Sequence, residues 1–275
     1  MSDNNPLKQY FRRPTIYFKL PSLGTEYTSD VISSTGNGDL PVYPMTAIDE
    51  MTVRTPDGLF NGVAVVELIK SCVPNILDPW KLNINDIDAV LMAIKAANDD
   101  GKIDITTICP SCSEESNYDV NLMPILANMR AADYSKTLSV RDLEFKFRPL
   151  TYAETNANSA NQFIIQKTIV ELNGFEEGDK KNELMTETLK KLQQLVIEIV
   201  ASTIEYIKTP ETTVIDSKHI VEFLKNCDKH MNAVVKDYSI NLREQSEMKP
   251  IDIQCIHCQH VYQQRIVLNA SDFFD

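Results

Sequence analysis

Four of the six cysteines fall in two pairs of equal spacing, Cys109-Pro110-Ser111-Cys112 and Cys255-Ile256-His257-Cys258. A two-residue gap lets one tight turn aim both thiolates at a single ion, and zinc takes four such ligands in a tetrahedron. A rubredoxin-like knuckle on each of two hairpins would build a four-cysteine zinc ribbon. Four filled positions leave no open site for water, so the expected Zn2+ is structural and not catalytic. His257 and His260 flank the second pair and are alternative ligands, but four cysteines already complete the shell, which favours exposed histidines. A redox C-x-x-C pair belongs at a helix start in a βαβ setting, and neither pair has one. An intermolecular site and two inert pairs are the other readings.

Residues 113–254 separate the two pairs, far more chain than a zinc ribbon usually spans. They read as an insertion whose ends the metal pins together. Closure entropy grows only logarithmically with loop length, and structural zinc contributes ~10 kcal/mol or more. An internal echo supports two halves of one structure: Ile103-Asp104-Ile105 precedes the first pair and Ile251-Asp252-Ile253 the second.

Little else can do chemistry. Cys72 and Cys227 lie in or beside helical segments and read as buried small apolar residues. His219 and His230 are read on one helix, sharing a face, as surface residues. Phosphate-loop, zincin and nucleophile-elbow motifs do not occur. Gly36-Asn37-Gly38 is a turn, and Asn98 to Gly101 fails as a calcium loop because Ala96 and Thr107 would hold its first and twelfth positions. The pairs Asp86/Asp88 and Glu176/Glu177 read as caps and solvated charge. These absences exclude an enzyme and leave no small-molecule substrate to name.

The elements that must carry the knuckles follow from periodicity. Ile16, Phe18 and Leu20 alternate with polar neighbours, and turn clusters stand at Pro21 to Gly24, Ser33 to Asp39 and Thr55 to Gly58. Residues 15–60 therefore read as strand-rich, after an arm over 1–13. Helices are predicted at 62–72 and 85–98, the second capped by Asn83 or Asn85. Strands flank the first knuckle over 101–122, a short helix covers 123–132, and Leu143, Phe145 and Phe147 mark another strand. From 152 the pattern is helical. One long helix is predicted from Glu183 to Lys208, with Met185, Leu189, Leu192, Val196 and Ile199 as its apolar stripe, and a helix pair over 216–245. The fold class is α+β: a strand-rich region over 14–60, a zinc-ribbon module over 61–122 with 249–275, and a mainly helical inserted lobe over 123–248.

Aspartate and glutamate outnumber lysine and arginine by 39 to 27, for a net charge of −12. So acidic a chain lacks the broad cationic face that nucleic acid requires. Its one basic cluster, Lys8 to Arg13, carries Tyr10, Phe11, Arg12 and Arg13. These four read as an arm for an acidic or apolar protein partner; a nucleic-acid arm is the alternative. No apolar run approaches the ~20 residues that span a bilayer, and the start lacks the regions of a signal peptide, which places synthesis in a cytoplasm.

The opening Pro14-Thr15-Ile16-Tyr17-Phe18-Lys19-Leu20-Pro21-Ser22-Leu23-Gly24 resembles the start of the baseplate hub proteins of T4-like contractile-tailed bacteriophages, with its Tyr-x-x-Leu-Pro-Ser-x-Gly pattern. The resemblance continues through Met45 to Thr55, Cys72 just before Leu77, Ile84 to Ala97 and the Cys109–Cys112 knuckle. Phe147-Arg148-Pro149-Leu150-Thr151-Tyr152 fits the family's general style. The resemblance implies a structural or hub-assembly role in the virion tail baseplate, put together in the host cytoplasm. Its implied partners are other hub and wedge proteins, or further copies of the chain. A zinc-ribbon adaptor of phage transcription or replication machinery is the alternative.

Overall fold

The computed structural model describes residues 6–33, 35–54, 62–98, 100–175 and 178–266. The turn expected at Thr55 to Gly58 and the pair Glu176/Glu177 lie outside the described residues. The chain divides into two compact units, Met1–Arg130 with Met248–Asp275, and Ala131–Glu247.

The first unit is organised by one helix. Its elements in chain order are a 3-10 turn at Pro6–Tyr10, β1 (Ile16–Phe18), β2 (Leu40–Val42), α1 (Ala47–Val53), α2 (Val63–Cys72), a 3-10 turn at Pro79–Lys81, α3 (Ile84–Asn98), β3 (Lys102–Ile108), β4 (Glu115–Asn121) and α4 (Leu122–Asn128). The chain re-enters this unit as β9 (Ile251–Gln254) and β10 (Val261–Gln264). The sequence of α3 is apolar around most of its circumference, broken by Asp88 and Lys95 on one side, so it needs cover on the rest. Ile87, Val90, Met92 and Ile94 are fully buried, and α2, α4, β1 and β2 all pack on it.

Residues 15–60 are less strand-rich than predicted. β1 and β2 are three residues each, paired with Ile16 opposite Val42. Thr46 and Asp49 then form a capping box that starts a helix, a local signal that outweighs the surrounding turn residues.

Asp86 is also unlike its expected role as solvated charge. Asn83 caps α3 by accepting from the Asp86 amide at 2.8 Å, but the Asp86 side chain is fully buried. It accepts hydrogen bonds from the Ser22 amide (3.1 Å), the Ser22 hydroxyl, the Tyr27 hydroxyl (2.6 Å) and Asn83 Nδ2 (3.1 Å). Burial pushes its carboxyl above the ordinary carboxylate range despite these four donors. The Pro21 to Gly24 turn is thereby fastened to α3, with Leu23 (φ 60°) and Gly24 (φ 69°) both left-handed.

The second unit holds β5 (Thr137–Val140), β6 (Leu143–Phe147), α5 (Tyr152–Asn173), α6 (Asp179–Ser202), β7 (Ile204–Lys208), β8 (Thr213–Val214), α7 (Ser217–Asn226) and α8 (Lys229–Ser246). Its strands form one antiparallel sheet in the order β5-β6-β7-β8. Phe145 and Phe147 of β6 are buried with Ile204, Ile207, Ile220, Leu224 and Val235. The lobe is mainly helical, as expected, but it also contains this sheet and starts at 131 instead of 123; α4 belongs to the first unit. The long helix also stops at Ser202, not Lys208. Ile204 and Ile207 are β-branched, both are 4% exposed, and β7 pairs with β6. Within α6 the buried residues are Thr188, Leu195 and Ala201, while Leu189 and Val196 of the expected stripe are exposed. The stripe was set one helical position away from the covered face.

Candidate metal centre

Two hairpins position the cysteines. β3 and β4 pair from Lys102 opposite Asn121 to Ile108 opposite Glu115, and β9 pairs with β10 from Ile251 opposite Gln264 to Gln254 opposite Val261. Each closes in the same knuckle. The Cys109 amide donates to the Glu114 carbonyl (3.0 Å) and the Ser113 amide to the Cys109 carbonyl (2.9 Å). The Cys255 amide donates to the His260 carbonyl (2.9 Å) and the Gln259 amide to the Cys255 carbonyl (3.0 Å). Ser113 and Gln259 occupy equivalent left-handed positions, both at φ 61°. The sequence echo is thus a repeated turn that lifts two thiols to one side.

The two knuckles meet. All four Sγ atoms lie within 4.8 Å of one another, with Cys109 to Cys258 and Cys112 to Cys255 each at 3.6 Å. Thiolates bound to one zinc at about 2.3 Å stand about 3.8 Å apart at tetrahedral angles. The four cysteines fit that ion in number, chemistry and spacing. Cys109 and Cys255 are buried, Cys112 is partly buried and Cys258 is exposed, so the cluster sits at the rim of the unit.

The electrostatics favour a cation. The Cys258 amide, followed by the His257 amide and the neighbouring thiols, holds Cys255 down to about 6 against burial. Cys112 moves the other way, to about 12: the Glu114 amide lowers it, but burial and the Cys258, Cys255 and Cys109 thiols raise it further. Thiols this crowded cannot all ionise together without a positive ion among them. Behind the cluster, Thr107 donates its hydroxyl to Gln264 Oε1 at 3.0 Å, a second tie between the hairpins. Neither residue carries a motif, and only the paired register brings them together.

The other candidates separate from this site. His257 and His260 are exposed, and the His260 ring stacks on Tyr262. His219 lies on α7 and His230 on α8, so the single helix and shared face expected for them are absent. Cys72 is fully buried, which pushes its thiol up to about 12. Cys227 is partly buried and ends α7.

In the basic cluster, Tyr10 and Phe11 are 77% and 58% exposed, and Arg13 is exposed. Arg12 turns inward. Its guanidinium donates to the Pro44 carbonyl (2.6 Å), Asp49 Oδ2 (3.1 Å), and the Ser71 carbonyl (2.9 Å) and hydroxyl (2.7 Å), and it lies over the Tyr43 ring. The residue read as part of a partner surface instead anchors the arm to α1 and α2. A charge in sequence does not announce that an acceptor set awaits it tens of residues away.

A family model described as T4 bacteriophage base plate protein matches residues 44–275. The match takes in both knuckles and the whole second unit, and it begins after the Pro14 to Gly24 segment that carries the resemblance. No curated relative and no solved structure matches the chain. Among the described residues no helix is long and apolar enough to cross a membrane.

Proposed function

Because this chain belongs to the T4 bacteriophage base plate protein family, we propose that it is a non-enzymatic structural part of the baseplate hub, with a four-cysteine zinc clamp that ties together two hairpins of its first unit. The match over residues 44–275 carries this reading, and the mutual approach of four thiols supports the clamp. Zinc would be held by Cys109, Cys112, Cys255 and Cys258. As a filled tetrahedral centre it would supply folding free energy and no open coordination site. Partners would be neighbouring hub and wedge proteins met during assembly in the host cytoplasm.

The adaptor reading loses ground, because Arg12, one of three cations in its nucleic-acid arm, is engaged with Asp49 and Ser71. Tyr10, Phe11 and Arg13 remain as the outward part of the arm.

The test is quantitative mass spectrometry of purified tails together with the zinc content of the purified chain. A fixed small copy number per tail and one zinc per chain are expected. Absence from tails, with accumulation in infected cells, would replace the structural role by a transient assembly role.

A further inference from the structure

We propose that a groove in the first unit takes an extended, acidic and apolar peptide segment of another protein as an added strand on the free edge of β1. The inference goes beyond the hub reading and rests on it only for where such a segment would come from.

The groove is about 520 Å³ and has two different walls. One is the consecutive run Tyr17 to Pro21; the other is α4 and the residues after it, through Met123, Leu126 and Met129. Both β1 and α4 pack on α3, which sets their spacing. In an extended run, successive side chains point to opposite faces. Tyr17 and Lys19 are exposed while Phe18 and Leu20 are buried. Five consecutive residues can line one groove only if it follows the edge of the backbone.

That edge is open. β1 pairs with β2 alone, so no described strand pairs with its other side. Pro41 stands opposite Tyr17 in the register and has no N–H. Tyr17 therefore occupies a ladder position whose own N–H and C=O point away from β2. A strand edge facing a helix across an apolar groove is the arrangement by which strand addition captures peptides: main-chain bonds hold the segment and alternate side chains fill the groove.

Charge selects the segment. Lys19 is exposed and makes no hydrogen bond or ion pair among the described residues. Arg130 lines the far wall, its Nη1 donating to the Ala127 (2.7 Å) and Met129 (2.6 Å) carbonyls, which leaves its other donors to the groove. Asp39, the acidic residue of the lining, keeps its negative charge while accepting from the neutral Asn37 Nδ2, and Lys19 and Arg130 outnumber it. The net charge of the groove is positive on a chain of net charge −12, so carboxylates that flank apolar residues are the complement.

The experiment uses the full-length isotope-labelled chain and the probe peptide acetyl-Glu-Val-Asp-Val-Leu-Glu-amide, read by backbone amide shifts. Saturable shifts are expected at Tyr17, Lys19 and Met129. The same peptide N-methylated at alternate residues keeps its side chains but lacks the donors, and should bind at least ~10-fold more weakly, or about 1.4 kcal/mol. Lys19→Glu changes an exposed residue and should weaken the acidic probe by about 10-fold, while strengthening acetyl-Lys-Val-Lys-Val-Leu-Lys-amide. No saturable shift, or equal binding of the N-methylated peptide, overturns the proposal. Self-association in sedimentation that Lys19→Glu abolishes would overturn it in favour of a second copy. Tail content of the unaltered chain is measured in parallel. A chain present in tails with a groove that binds nothing sinks only this inference, whereas absence from tails sinks the hub reading alone.

Discussion

Two helices of similar prominence are held in opposite ways. α3, in the first unit, buries ten of its fifteen residues against strands and helices, with even Asp86 satisfied inside and Asp88 left exposed. α5, in the second unit, is longer, at 22 residues, yet buries only Leu172 and exposes Phe163, Ile164 and Val170. Burial stabilises α3. α5 depends on its neighbour α6 and on its first turn, where Thr151 and Glu154 form a capping box and Arg148 holds Glu154 at 3.0 and 2.5 Å. A helix without tertiary cover is marginal in water, so the difference separates structure made by packing from structure made by local hydrogen bonds.

The sharpest way to break this comparison is to remove the metal expected at the rim of the first unit. Cys255→Ser, or strong chelation, should cost most of the ~10 kcal/mol that structural zinc contributes. Amide exchange should speed up across β3, β4, β9 and β10 while β6 and β7 stay protected. Unchanged exchange at β3 would mean that the four thiols do not work as a clamp. Next in size, Ile94→Ala in α3 should destabilise by 2–5 kcal/mol, at the scale of core truncation, by denaturant melting of the full chain. Asp86→Ala should cost about 3 kcal/mol, because Ser22, Tyr27 and Asn83 would keep buried donors without an acceptor. A loss under about 0.5 kcal/mol would show that water replaces the carboxylate.

The capping of α5 yields a smaller, pH-dependent effect. Burial works against ionised Glu154, but the Arg148 pair and the Thr151 bonds hold its carboxyl below the usual range. A depressed carboxylate contributes stability above its unfolded value, ordinarily near 4.5, and that contribution disappears as pH falls through the folded value. Glu154→Gln should therefore lose about 1 kcal/mol at neutral pH and flatten the acid limb of the second unit's stability curve. An unaltered acid limb would assign that limb to other carboxylates. Smallest of all, Val170→Ala on the uncovered face of α5 should change stability by less than about 0.5 kcal/mol. A core-sized loss there would mean that this face is covered in the free chain.

Local chemistry was legible from residues alone. The paired cysteines, the Asn83 cap, the alternation of Leu143, Phe145 and Phe147, and the helical run from 152 each depend on neighbours a few residues apart, and each takes the expected form. β7 was hidden because Ile204 and Ile207 continue a helix-like spacing until a partner strand exists to pair with them. The stripe on α6 failed for a related reason: several apolar faces were available, and only the helices and strands around it select one.

By itself, then, the sequence determined the two cysteine turns, the main helices and their caps, and the class of fold, because short-range sterics and hydrogen bonding decide these. Tertiary structure alone decided which charges are used up. Arg12 turns to Asp49 and Ser71, Asp86 is enclosed by the Ser22 turn, and Lys19 is left outward. A long side chain's partner is set by which distant backbone arrives beside it, and desolvation then makes that contact binding.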